Sequence, residues 1–147
     1  MIALLDVSVL VALFDAGHMA HEPTHDWFTD NRALGWASCP ITENGLIRVL
    51  GTPAYPAGLT PVPEITARLD ALCAATDHQF WPDDVSLRNH ARFNVSAVRG
   101  YRQLTDVYLL GLAVQRGGRF VTLDQRVPLA AVRGATRASL EVIGAAE

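Results

Sequence analysis

The sequence contains no lysine, because all 12 basic residues among its 147 are arginine. This absence excludes a lysine-dependent phosphate loop and Schiff-base chemistry, since both need a lysine amine. Cysteine is also scarce. Cys39 and Cys73 are the only two, without a CxxC or a disulfide-framework spacing. We therefore expect buried thiols in a reducing compartment.

No apolar run in the sequence is long enough to cross a bilayer. The apolar segment 2–14 has no basic residues before it and is interrupted by Asp6, unlike a signal peptide. These absences predict a soluble, cytoplasmic protein without a membrane partner. A chain of 147 residues has the size of one ordinary domain, so we expect a single domain over 1–147. Half of the residues are hydrophobic, which favours a partner that covers part of the surface.

Acidic residues are scarce in the C-terminal part of the chain. Residues 85–147 carry nine arginines and four acids, whereas residues 1–84 carry three arginines and eleven acids. An acid-free stretch interleaves arginine with histidine and aromatic residues, a composition that suits single-stranded RNA because guanidinium groups bind phosphates and rings stack on bases. The alternative is a solvated arginine-rich face. The candidate RNA-binding residues are Arg88, Arg92, Arg99 and Arg102.

Short apolar runs alternate with helical patterns along the chain. The runs predict strands at residues 2–6, 36–38, 78–81, 120–123 and 139–143. The patterns predict helices at 9–14, 20–34, 41–50, 64–75 and 103–116, with Ser8 capping the first. Proline and glycine make 51–63 a loop, and 86–102 is predicted as a weak helix followed by an irregular loop. This alternation indicates an α/β fold with a parallel sheet between helices.

Four acidic residues stand where an apolar run gives way to a turn or a helix start: Asp6, Glu43, Asp106 and Asp124. An open parallel sheet gathers such junctions along one edge, so the four carboxylates can share a pocket. Two like charges about 4 Å apart repel by roughly 4 kcal/mol at an effective dielectric of about 20. Such a cluster either protonates in part or binds a divalent metal. Oxygen ligands favour Mg²⁺ or Mn²⁺ over zinc.

Each acid also has a purely structural interpretation. Glu43 and Asp106 occupy first helical turns, where a negative charge is favourable, while Asp6 and Asp124 can simply tie turns together. A shared site explains all four positions at once. Three hydroxyl residues lie beside these acids and are candidates to bond a carboxylate or a metal-bound water: Ser8, Thr105 and Thr122. The alternative for these three is helix capping or strand packing.

A second metal motif is formally present as His21-Glu22-Pro23-Thr-His25, which has the H-E-x-x-H spacing of zinc peptidases. Pro23 restricts the motif to the start of a helix, and no third ligand follows at a fitting distance. A partly exposed helix face is the preferred interpretation.

Four motifs occur in order along the chain: Leu-Leu-Asp6-Val-Ser8, Thr42-Glu43-Asn-Gly-Leu, Leu-Thr105-Asp106-Val-Tyr-Leu and Val-Thr122-Leu-Asp124. Each alone is common, but the ordered set spans residues 4–124 and resembles the PIN-domain nucleases. More narrowly, it is similar to the VapC-type toxins of bacterial toxin–antitoxin pairs. Relatives often carry another acid or Asn shortly after the fourth acid, whereas here Gln125 and Arg126 follow, which argues against a second fully coordinated metal.

The resemblance implies a single PIN-like three-layer α/β/α sandwich around a mainly parallel sheet. It implies that the four acids hold Mg²⁺ or Mn²⁺ and that the protein cleaves RNA with a metal-activated water. A cognate antitoxin that occludes the site and a homodimer are the implied protein partners. The chemistry alone leaves open a metal-dependent nuclease acting on DNA, a metal phosphatase, or a non-catalytic PIN-like module that binds RNA or protein.

Overall fold

A five-stranded parallel sheet lies at the centre of the molecule, in a computed structural model that describes residues 1–144. The strands follow the spatial order β3-β2-β1-β4-β5. Their bounds are β1 Ala3–Leu5, β2 Trp36–Ser38, β3 His78–Phe80, β4 Arg119–Thr122 and β5 Leu140–Val142. The α-helices are α1 Val7–Phe14, α2 His21–Asn31, α3 Pro40–Leu50, α4 Val62–Ala75 and α5 Leu104–Gln115.

Strand β1 is the middle strand, with β2 on one side and β4 on the other. Ala3 is in register with Trp36 of β2 and with Arg119 of β4, so the three strands end close together. The backbone N–H of Asp6 then donates to the carbonyl of Val121 over 2.9 Å, which extends the β1–β4 pairing by one residue. Residues that follow β1 and β4 are therefore brought side by side at the C-terminal edge of the sheet.

Side chains alternate between the two faces of this sheet and form two apolar cores. Leu4 and Phe120 belong to the core beneath α5, whereas Ala3, Leu5 and Val121 belong to the core shared with α1, α2, α3 and α4. This arrangement is the three-layer α/β/α sandwich that the sequence predicts. Within residues 1–144, no helix combines the length and the apolar character that crossing a bilayer needs.

Three local predictions are wrong. Ser8 does not cap α1, because Asp6 precedes the helix with an extended backbone and its Oδ1 accepts the N–H of Val7 over 2.8 Å. The segment 86–102 contains no α-helix but turns and two short 3-10 segments, and its Phe93 pairs with Val132 in an isolated bridge. Helix α4 starts earlier than predicted because Pro63 fits its first turn.

Phe93 packs the segment 86–102 against α5. The fully buried ring of Phe93 lies over Gly111, where a Cβ atom would come within 2.2 Å of the ring atom Cε1. Only glycine leaves room for this ring. The contact joins the arginine-rich segment to the helix that carries Asp106.

Gly111→Ala is expected to destabilise the protein by about 1–3 kcal/mol, because the added methyl group overpacks a buried site. Gly100→Ala is the matched control, since a Cβ there meets nothing within 4 Å and its φ of 172° suits any residue. Urea unfolding of both variants measures the two free energies. Equal stability of the two variants would contradict the contact.

Candidate active site

Three aspartates lie at the C-terminal edge of the sheet. Asp6 directly follows β1, Asp124 comes two residues after β4, and Asp106 stands in the first turn of α5. Burial is the main cause of the raised pKa of Asp6 and of Asp106, and the neighbouring charges add to it: Asp124 acts on Asp6, and both act on Asp106. The structure therefore brings together three of the four predicted acids, from positions up to 118 residues apart in the sequence.

Asp6 is the most firmly held of the three. Its side chain is buried, and Oδ2 accepts the hydroxyls of Thr122 over 2.6 Å and of Ser8 over 3.1 Å. Burial raises the pKa of Asp6, and these hydrogen bonds only partly oppose that effect. Thr122 also accepts the N–H of Asp124 over 3.1 Å, so one hydroxyl links two of the acids.

The third predicted hydroxyl residue is placed differently. Thr105 is exposed, and within residues 1–144 its side chain donates no hydrogen bond to an acid. The reason is its position in the first turn of α5, which presents it to solvent while the next residue turns toward the sheet edge. Ser8 and Thr122 contact Asp6, and Thr105 does not.

Asp106 has the most perturbed carboxyl group. Burial, followed by the charges of Asp6 and Asp124, raises the pKa of Asp106 from 3.8 to about 7. Arg126 opposes this rise. No hydrogen bond or ion pair to the Asp106 carboxylate occurs in the part of the chain that the structure describes, so near neutral pH the group needs either a proton or a cation.

Glu43 faces another part of the sheet. Its Oε2 accepts the hydroxyl of Ser38 over 2.6 Å, and the same Ser38 Oγ lies 2.7 Å from His78 Nε2. Since the single hydroxyl proton of Ser38 goes to Glu43, His78 must donate from Nε2. Burial, followed by the charge of Glu43, raises the pKa of Cys73, and Glu43 opposes the burial that lowers the pKa of His78.

Ser38 and His78 were not predicted from the sequence. Ser38 ends β2 five residues before Glu43, which is too far along the chain for the criterion that selected Ser8 and Thr122, a hydroxyl within two residues of an acid. His78 has no local signal either, because it reaches Ser38 across the β2–β3 pairing. Its ring packs against Trp36 with centroids 4.5 Å apart, which fixes its position.

The aspartates suit a hard divalent cation that retains water ligands. Within residues 1–144, no three His, Cys, Asp or Glu side chains are arranged closely enough to enclose an ion by themselves. Mg²⁺ is commonly held by one or two carboxylates, with water and substrate phosphate completing its octahedron. The three carboxylates, one of them without a protein partner among the described residues, fit that mode of binding.

The H-E-x-x-H residues lie apart, at the start of α2 with Pro23 in the first turn. His21 Nδ1 is 2.7 Å from the carbonyl oxygen of Ala12, so one of its two nitrogens is used within the fold. His25 is exposed. The segment forms a partly exposed helix face.

A pocket of about 300 Å³ opens beside Asp106 and Asp124. Arginine side chains form its other wall, and two of the four predicted RNA-binding arginines, Arg99 and Arg102, are among them. Arg88 and Arg92 do not line it. Arg126, which no sequence pattern singled out, completes the wall.

Comparisons with known proteins place the chain in a family. Residues 3–134 match the family described as PIN domain. Ribonuclease VapC44 of Mycobacterium tuberculosis (strain ATCC 25618 / H37Rv) is 43% identical over 144 residues, covering 96% of this chain and 99% of the relative. Ribonuclease VapC38 of the same strain is 45% identical over 125 residues, which are 85% of this chain and 86% of the relative. Ribonuclease VapC39 is 40% identical over 124 residues, covering 84% and 89% respectively.

Asp106→Asn is expected to remove part of the pH dependence of the free energy of unfolding. The folded protein keeps the Asp106 proton up to about pH 7, whereas the unfolded chain loses it near 3.8. The unfolded state therefore binds fewer protons between these values, and stability falls as pH rises through them. The asparagine variant lacks this decline.

Thermal unfolding in chelator, followed by circular dichroism from about pH 4 to about pH 8, measures the difference. The variant should gain melting temperature relative to the unmodified chain as pH rises. A constant difference across the range would show that Asp106 is not perturbed.

Proposed function

The chain belongs to the PIN-domain family, and from this premise we propose that it is a metal-dependent endoribonuclease, the toxin of a VapC-type toxin–antitoxin pair. The observation that carries the proposal is the meeting of Asp6, Asp106 and Asp124 at one sheet edge beside an arginine-lined pocket. The acids supply ligands for a cation, and the arginines supply charge for a phosphate backbone. The names of the relatives, all ribonucleases, support RNA as the substrate.

The three aspartates would hold Mg²⁺ or Mn²⁺, and Glu43 would contribute directly or through water. When bound, such a cation lowers the pKa of a water ligand and stabilises charge on the scissile phosphate. Thr122 and Ser8 keep Asp6 in one orientation, so its carboxylate needs little rearrangement to act as a ligand. Hydrolysis of this kind leaves a 5′-phosphate and a 3′-hydroxyl.

Asp106 and Glu43 differ in what each must lose before it can bind a cation. The Asp106 carboxyl, with its pKa raised to about 7, releases its proton when a cation replaces it. Glu43 must give up or share its hydrogen bond with Ser38 before it can act at the aspartates. We therefore propose Asp6, Asp106 and Asp124 as the principal ligands. Thr105 is a solvent-exposed neighbour of Asp106.

Two other functions make different predictions. A non-catalytic binding module has no reason to concentrate negative charge where phosphate approaches, and a DNA nuclease would need the same acids. Parallel assays with labelled RNA and single-stranded DNA, titrated with Mn²⁺, separate the three. Metal-independent RNA binding without product would favour the module.

We also propose a cytoplasmic homodimer bound by an antitoxin. Two free cysteines suit a reducing compartment, where RNA is also available. A second pocket, of about 260 Å³, lies between α1, α2 and α4 and is lined by four apolar side chains and four polar or charged ones, two of them arginines. Its apolar half, which includes Leu13, Phe28 and Leu72, suits apolar side chains of a protein segment.

Asp6→Asn should lower RNA cleavage because the amide removes the charge of a metal ligand while keeping its volume. The loss should exceed about a hundredfold, the upper end for a residue that only orients a ligand through a hydrogen bond. Asp70→Asn, an exposed acid of α4, is the matched control and should cleave normally. Initial rates on labelled RNA in Mg²⁺, with circular dichroism to show an intact fold, provide the measurement. Undiminished cleavage by a clean Asp6→Asn preparation would refute the assignment.

A further inference from the structure

Three arginines line the pocket together with Asp106 and Asp124. Within residues 1–144, Arg99 and Arg102 form no ion pair with a carboxylate, and Arg126 pairs with Asp124 alone. Arg102 instead lies over the ring of Tyr101, 5.7 Å from its centroid, and Tyr101 is 75% exposed. Unpaired guanidinium groups around a concave surface favour an anion.

Arg126 joins this basic wall to the acids. Asp124 Oδ1 accepts the backbone N–H of Arg126 over 2.9 Å and its Nε over 3.3 Å. The Arg126 side chain is 86% exposed, so most of its N–H donors face the pocket and solvent. This guanidinium offsets the charge of Asp124, and it would be free to bind another anion if that carboxylate held a metal.

Gln103 connects the two segments that present these arginines. Its Oε1 accepts the N–H of Arg99 over 2.9 Å, and its Nε2 donates to the carbonyl of Arg126 over 3.4 Å. The amide therefore holds the loop before α5 against the turn after β4. Loss of both hydrogen bonds would let the two segments move apart.

We propose that this pocket binds the RNA phosphate next to the one that is cleaved, with Arg126 as a phosphate-binding residue and Gln103 as a positioning residue. The proposal rests on the proposed function, because the position of the phosphate is defined by the acids. The exposed Tyr101 ring lies where a base of an unpaired strand can stack. A single strand suits the pocket better than a duplex, whose bases are already stacked.

Arg126→Gln in an Asp6→Asn background tests the phosphate contact without turnover. Binding of a fluorescent, unstructured oligoribonucleotide is measured by anisotropy in Mg²⁺ over a range of salt concentrations. We expect an affinity loss of about tenfold at low salt, as for a lost charge-assisted hydrogen bond. The slope of log affinity against log salt should shrink by about 0.7, the value for one phosphate contact on a single strand.

Arg137→Gln in the same background is the matched control. Arg137 is exposed and lies just before β5, where the parallel strands begin, whereas the acids lie where the strands end. This control should leave the salt slope unchanged. An Arg126→Gln slope equal to that of the control would overturn the phosphate contact. Cleavage of the same RNA by the unmutated chain is measured separately. A reduced salt slope for Arg126→Gln without any cleavage by the unmutated chain would support the phosphate site and contradict the proposed nuclease activity.

Gln103→Met, which keeps the side-chain length and removes both hydrogen bonds, tests the positioning role. We expect this variant to weaken RNA binding. We also expect Arg126→Gln to have less effect when it is combined with Gln103→Met than when it is made alone, since the arginine is already misplaced. A purely structural role would give additive losses and an unchanged salt slope. Additivity would therefore overturn the positioning role.

Discussion

The pairing of β1 with β4 is the constraint on which the site depends. It places Asp6 beside the turn that carries Asp124, and the hydroxyl of Thr122 hydrogen-bonds both residues. Asp6 also begins α1, so the same carboxylate that caps a helix forms part of the acidic centre. A register shift of one residue between β1 and β4 would turn these side chains to the opposite faces and separate the acids.

The acidic centre lowers the stability of the free protein. Three carboxylates share a partly buried edge, and burial together with mutual repulsion raises the pKa of Asp106 to about 7. The fold tolerates this cost because two continuous apolar cores flank the sheet. Arg126 relieves part of the repulsion at the point where a phosphate backbone has to approach. Stability is thus given up at the edge where the proposed function needs charge for metal and substrate.

Much of the fold could be predicted because its signals are local. Apolar runs and helix patterns predicted all five strands and five helices, and the positions of the acids at the ends of these elements led to the expectation of a shared sheet edge. Contacts made across the sheet could not be predicted. Glu43 is turned toward Ser38 and His78 by the β2–β3 pairing, and Arg126 reaches the pocket through a turn whose geometry follows from Asp124. The weak helix expected within 86–102 does not form, and Phe93 of this segment is instead held by packing against Gly111, a tertiary contact that the local sequence does not reveal.

The central position of β1 has a consequence for synthesis in the cell. This strand leaves the ribosome before the other four, yet its neighbour β4 is translated more than a hundred residues later. Until β4 has been made, Asp6 lacks Thr122 and Val121, its hydrogen-bond partners on that strand, and the acidic centre cannot assemble. Under the proposed function, the nascent chain is therefore inactive until Asp124 has left the ribosome.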